Sequence, residues 1–182
     1  EEAGAAEEKS NRARLLQINA EAAEFFSSKL AAEEGVVARD FLIKRGFDAA
    51  SARQFGIGYA PKGWRNLIDH LTNKGYSLEE LVTVGLAMQS DKGGYDRFRG
   101  RVLWPIRDAN AQVLGFGARK LYEDDEGPKY LNTPETPVYH KASVLYGLDL
   151  ARKEIVKKRQ VVVVEGYTDV MACHLAGEVT AV

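Results

Sequence analysis

Two carboxylates beside an apolar run are the first residues whose types and spacing suit chemistry. Glu165 directly follows Val161-Val162-Val163-Val164, and Asp169 comes four residues later. A wholly apolar run of this kind reads as a strand buried on both faces of a parallel sheet. Open α/β sheets place binding and catalytic groups at the C-terminal ends of such strands, which is where Glu165 falls. Asp169 lies in the first turn of the helix that follows, so both acids are expected to face one crevice. Hard oxygen donors there suit Mg²⁺, which takes one or two carboxylates and completes its shell with water and substrate phosphate. The alternative gives Asp169 to the helix dipole and leaves Glu165 as a polar strand end.

A second constellation is basic. Arg97, Arg99 and Arg101 alternate, which on a strand sends all three side chains to one face, and Arg107 and Arg119 lie on or near adjoining strands. Lys92 to Asp108 holds five basic and two acidic residues, a local excess inside a chain with 25 Lys+Arg and 26 Asp+Glu. Guanidinium forks bind phosphate oxygens, so this ridge suits a nucleic-acid backbone or a triphosphate. Its rival is a solvated strand face that discourages edge pairing. A third group, Lys129, Tyr130, Asn132 and Lys141, sits on a proline-braced loop and offers charges to phosphate and hydrogen bonds to sugar or base. His140 has no second His or Cys nearby and is assigned no role. Gly115-Phe116-Gly117 lacks the third glycine of a dinucleotide fold, and no Gly-Lys-Ser/Thr occurs.

The elements that must position these groups are legible from periodicity. Leu15, Ile18, Ala22, Phe25, Phe26 and Leu30 predict a helix from Asn11 to about Glu34, capped by Ser10 or Asn11. Further helices are predicted over Val36–Lys44, Asp48–Phe55, Trp64–Asn73 and Leu78–Val84. Leu86–Gln89, Arg101–Arg107 and Gln112–Arg119 read as a small antiparallel sheet, with Asp108-Ala109-Asn110 as a hairpin turn. Leu121–Pro137 reads as a long loop with a short strand at Tyr130-Leu131. A helix over Leu148–Lys158, the valine strand, the helix after Asp169 and a strand running from Val179 to Val182 complete one βαβ unit. The expected class is α+β: a helical N-terminal part with a small antiparallel sheet, then the start of an α/β unit.

Composition narrows the setting. One cysteine, Cys173, excludes an internal disulfide framework and a multi-Cys zinc site within the chain. No apolar run is long enough to span a bilayer and no signal segment is evident, so a cytoplasmic location without membrane partners is expected. Near-balanced charge excludes a uniformly basic protein, but not a nucleic-acid enzyme.

The motifs, taken in order, resemble a known family. The strand followed by Glu165-Gly166-Tyr167-Thr168-Asp169-Val170 resembles the first motif of the TOPRIM domain of topoisomerases and bacterial primases. Arg97 through Asp108, Gly115 through Arg119, Lys129 through Thr136, and His140-Lys141 are similar to the RNA polymerase domain of bacterial DnaG-type DNA primases. Arg45-Gly46-Phe47 and Gly56 through Pro61 fit as well, so the likeness runs from about Phe25 to the last residue.

The resemblance implies synthesis of short RNA primers on single-stranded DNA from ribonucleoside triphosphates, with Mg²⁺ or Mn²⁺ as cofactor. It implies catalytic roles for Glu165, Asp169, Lys129 and Lys141, with Glu165 and Asp169 as metal ligands and the remaining acidic ligands beyond Val182. Arg45, Arg119, Lys129, Tyr130, Asn132 and Lys141 would bind nucleotide, and Arg97, Arg99, Arg101 and Arg107 would bind DNA. The implied divisions are an acidic lead-in at 1–10, an N-terminal polymerase subdomain at 11–147 and the beginning of a TOPRIM subdomain at 148–182. The family's later Asp-x-Asp motif, its zinc-binding domain and its helicase-docking domain do not occur in these residues. The chain is therefore expected to be a piece of a longer protein, inactive alone and meeting the replicative helicase only through a domain absent here. Alternative readings are a binding module for single-stranded DNA or nucleotides, and a part of another TOPRIM enzyme.

Overall fold

The computed structural model describes residues 2–182; Glu1, the first residue of the expected lead-in, lies outside them. Helix α1 spans Glu2–Ala31, so the Ala/Glu-rich stretch continues the helix instead of preceding it. Ala and Glu are strong helix formers, and a helix already under way needs no cap at Ser10 or Asn11. Residues 6–14 are exposed, while Ile18, Ala22, Phe25, Phe26 and Leu30 are buried as the spacing predicts. Helices α2 (Val36–Ile43) and α3 (Ala49–Phe55) follow, the latter capped by Asp48, whose Oδ1 accepts the Ser51 N–H at 2.9 Å. Strand β1 (Gly58–Ala60) leads to α4 (Asn66–Asn73) and α5 (Leu78–Thr83), and Ser77 and Glu80 form a reciprocal capping box at the start of α5.

Strands β2 (Ala87–Met88) and β3 (Tyr95–Asp96) form a two-stranded ribbon. Strands β4 (Arg101–Arg107), β5 (Val113–Lys120) and β6 (Tyr130–Asn132) join β1 in an antiparallel sheet of order β1-β4-β5-β6. Asp108 shapes the β4–β5 turn by accepting the amides of Asn110 and Gln112. Residues directly opposite in an antiparallel pair share a face. Ala60, Leu103, Phe116 and Ala118 pack on one face against α1 and α4, whereas Tyr59, Val102 and Trp104 pack on the other with Phe41, Phe47 and Phe55. With helices on both sides, β4 and β5 are buried almost throughout, which is why their alternation is weak in the sequence.

Asp96 is buried, yet its two carboxylate oxygens accept the N–H groups of Leu67 and Ile68 at 2.9 and 3.0 Å, the free donors at the start of α4. Burial outweighs those two bonds and pushes the carboxyl up to about 6 from an unfolded value near 3.8. The folded state therefore holds the proton more tightly, and this group's contribution to stability is complete below about pH 3.8 and lost as pH rises through about 6. Urea unfolding of the Asp96→Asn variant is expected to lose that part of the pH dependence; an unchanged slope between about pH 4 and 7 would remove Asp96 as its source.

The C-terminal part contains α6 (Leu148–Lys158) and α7 (Tyr167–Leu175). Residues 161–164 are extended but depart from the expectation of a strand buried on both faces: Val161 is 50% and Val163 68% exposed. The segment pairs in parallel through Val162 and Ala181, and α7 buries Val170 and Met171. Nothing among the described residues covers the opposite face. The strand expected from Val179 also differs, because Val179 and Thr180 still belong to a turn and the pairing begins only at the Thr180 carbonyl, which accepts the Val162 N–H at 3.2 Å. Val182 is buried, donates its N–H to the Val162 carbonyl at 2.9 Å and accepts the Val164 N–H at 3.1 Å. No helix among the described residues is long and apolar enough to cross a membrane.

Candidate nucleic-acid and nucleotide site

Residues 97–100 do not form the strand that would align the arginines; Gly100 takes a φ of +60°, a left-handed turn that suits glycine, and β4 begins only at Arg101. The three arginines nevertheless line one cleft of about 580 Å³, together with Lys62, Trp64 and the loop around Asp124–Gly127. Their depths differ. Arg97 and Arg99 are partly exposed, whereas the Arg101 side chain is only 3% exposed and meets Asp125 at 2.7 Å. Lys62 pairs with Asp124 at 2.7 Å. Arg97 Nε and Arg101 Nη1 are buried without hydrogen-bond partners among the described residues, and burial with the neighbouring Arg101 charge pushes the Arg97 guanidinium below its usual range. Anionic oxygens entering the cleft would relieve both conditions.

The sheet register sorts the other cations. Arg101 lies opposite Lys120, on the face shared with Leu103 and Ala118, whereas Arg119 lies opposite Val102 and Tyr130 on the reverse face. On that reverse face the guanidinium carbons of Arg45 and Arg119 stand 3.6 and 5.1 Å from the centre of the Phe41 ring. Arg119 Nε is also buried without a partner among the described residues. Two guanidiniums on one aromatic ring beside the exposed Tyr130 make a compact site for a polyanion with a stacking group.

Asn132 joins these regions. Its carbonyl accepts Arg97 Nη2 at 2.8 Å, while its Oδ1 accepts the Tyr167 hydroxyl at 2.9 Å. The Tyr167 ring stacks on Trp104 at 5.5 Å and 12° and meets Tyr146 edge-on at 4.8 Å. Gly117 makes the stack possible, because a Cβ there would stand 2.4 Å from the tyrosine ring. Tyr167 thus anchors the start of α7, two residues after Glu165, to the sheet that carries Arg119. Burial raises its phenol well above the ordinary range, so it remains a hydroxyl donor.

The remaining predicted residues are placed as follows. Glu165 and Asp169 are exposed at the start of α7, and Asp169 Oδ2 accepts the Gly166 N–H at 3.1 Å, so this acid also serves the helix terminus. Lys129 and Lys141 are exposed; the Lys129 carbonyl accepts the Lys120 N–H, and the Lys141 amide donates to Glu135, which with His140 holds that carboxyl below its usual range. Arg107 does not join the cleft: it sits at the far end of β4 from Arg101 and reaches Asp149 in the first turn of α6 at 3.6 Å. Trp64, Lys62 and the Asp124–Asp125 counter-charges belong to the cleft and were not singled out by spacing. Among the described residues there is no group of three or more His, Cys, Asp or Glu able to hold a metal. Glu165 and Asp169 carry oxygen donors of the hard kind that Mg²⁺ or Mn²⁺ prefers, and two carboxylates alone would hold such an ion weakly.

Comparison with known proteins gives this geometry a setting. The family model described as "DNA primase catalytic core, N-terminal domain" matches residues 25–152. A DNA primase of Streptomyces coelicolor is 54% identical over 176 residues, covering 96% of this chain and 28% of that protein. The chain thus spans less than a third of that relative's length. The crystal structure of the RNA polymerase domain of Mycobacterium tuberculosis primase DnaG superposes with a TM-score of 0.91 at 54% identity, covering 93% of this chain and 55% of that one. A DnaG primase catalytic domain bound to single-stranded DNA superposes at 0.84 with 39% identity, covering 95% of this chain and 56% of that one.

Proposed function

The chain belongs to the DNA primase family, and from that premise we propose that it forms part of an enzyme that synthesises RNA primers on single-stranded DNA from ribonucleoside triphosphates. The arginine-lined cleft takes the template backbone. Arg45 and Arg119, with Tyr130 and Asn132 on the neighbouring strand, take the incoming triphosphate, Lys129 and Lys141 are further cations assigned to it, and Glu165 with Asp169 would hold Mg²⁺ or Mn²⁺ in the TOPRIM part. The observation that carries this reading is Asn132, which hydrogen-bonds an arginine of the cleft through its backbone and the tyrosine of the Glu165 motif through its side chain.

Phosphoryl transfer asks mainly for positioning and charge stabilisation, which this arrangement provides. The guanidiniums of Arg45 and Arg119 spread positive charge over the phosphates. Tyr167, stacked on Trp104, holds the backbone beside Glu165 in place. The metal, when bound, would neutralise charge developing on the transferring phosphoryl group. The 182 residues alone are proposed not to polymerise, since two carboxylates give a hard cation little advantage over its hydration shell.

The template assignment is tested by salt. Arg97→Ala with Arg99→Ala is expected to weaken binding of a single-stranded oligonucleotide. Its log K against log salt slope should flatten by roughly 1.4, the change expected when two fewer phosphates are neutralised. An unchanged slope would take the cleft out of template binding.

A further inference from the structure

We infer that Phe41 is a positioning residue whose ring holds the guanidiniums of Arg45 and Arg119 as a pair for one run of linked phosphates; the inference rests on the reading of those two arginines as the triphosphate site. The fold holds its arginines in two ways. Arg101 and Arg107 are held by carboxylates, Asp125 at 2.7 Å and Asp149 at 3.6 Å, so their N–H groups already face an anion. Arg45 and Arg119 come from distant parts of the chain, just beyond α2 and near the end of β5, and no ion pair among the described residues involves either. Both stand instead at the Phe41 ring, 3.6 and 5.1 Å from its centre, so their separation cannot exceed those two distances added. Phe41 is half-buried on α2 and packs against the cluster that contains Phe47, Phe55 and Trp104, which fixes the ring before any ligand arrives. An aromatic face attracts a cation through its quadrupole and, unlike a carboxylate, does not take up the N–H fork. Each guanidinium gives one donor to a backbone carbonyl, Arg45 to that of Phe41 at 3.3 Å and Arg119 to that of Lys120, and Arg119 Nε is buried without a partner among the described residues. Two like charges held together with forks open to phosphate favour an anion that carries charge on neighbouring phosphates over one that carries a single phosphate.

Calorimetric titration of the 182-residue chain with inorganic tripolyphosphate and with inorganic phosphate provides the test. Tripolyphosphate is expected to bind the parent more tightly. Phe41→Leu should weaken tripolyphosphate about tenfold and leave phosphate within about twofold, whereas Phe41→Tyr, which keeps the aromatic face, should retain most of the affinity. Arg45→Lys keeps the charge at an exposed position but loses the planar fork, and it should weaken tripolyphosphate in the same direction. That variant carries the test if Phe41→Leu fails to unfold cooperatively on heating. Equal tripolyphosphate affinity of Phe41→Leu or Arg45→Lys and the parent overturns the role of Phe41, as does equal weakening of both anions or a Phe41→Tyr variant as weak as Phe41→Leu. Arg45→Ala with Arg119→Ala tells this failure from a deeper one. If that double variant binds tripolyphosphate weakly while Phe41→Leu binds it normally, the triphosphate site stands without Phe41. If the double variant binds it as the parent does, the anion lies elsewhere and both readings fall.

Discussion

Glu165→Gln, made in the chain extended to the full length of its relatives, is expected to lower primer synthesis on single-stranded DNA by a factor on the order of 10²–10³ without changing template affinity. The substitution keeps the shape of the side chain and removes only its charge. Glu165 is exposed, so the change should leave stability within about 0.5 kcal/mol of the parent. The full length is needed because the described residues hold no cluster of three or more metal-binding side chains, and the further acids implied by the family's motifs would follow Val182. Separation of the two readouts is the informative result: it would assign template binding to the cleft arginines and the chemistry to the carboxylate. Undiminished synthesis would remove Glu165 from catalysis. Parallel loss of synthesis and binding would instead give it a structural role.

Trp104→Ala is expected to destabilise the protein by about 3–5 kcal/mol, the usual cost of emptying a core site of this size. For a chain of this length that corresponds to a melting temperature roughly 6–20 °C lower. Trp104 has no exposed surface; its ring lies on Tyr167 and its indole N–H contacts the Met171 sulfur at 3.2 Å. It therefore fixes α7 to the sheet. Trp104→Phe, which keeps an aromatic face for Tyr167, should recover much of the loss, and calorimetry of both variants checks this. Equal melting of Trp104→Ala and the parent would show that the stack contributes nothing to holding α7.

Elements governed by local rules were legible in the sequence. Helix α6 lies where periodicity places it, and Ser77 and Asp48 cap as short polar side chains at helix starts should. Elements governed by distant partners were less so. Alternation at Arg97, Arg99 and Arg101 suggested a strand, but the left-handed turn at Gly100 overrides it, and Arg101 is drawn inward by Asp125, 24 positions along the chain. The four valines carry the composition of a strand buried on both faces, but that composition does not reveal that only one face is covered. Arg107 shares its residue type with the cleft arginines, and only the fold shows that its partner is Asp149. Tyr167 sat inside a motif read for its acids. Its role depends on an absent side chain, that of Gly117, 50 positions earlier.

Strand β6 closes one edge of the sheet with three residues, and the cleft cations and the Arg45–Arg119 pair are reached from different sides of that layer. A template strand and an incoming nucleotide held at these two places would be separated by a polypeptide wall one backbone thick. Watson–Crick contact between them must then form around the rim at Tyr130–Asn132. On that reading the length and position of this three-residue border would set how far the template leans over for its base to be read.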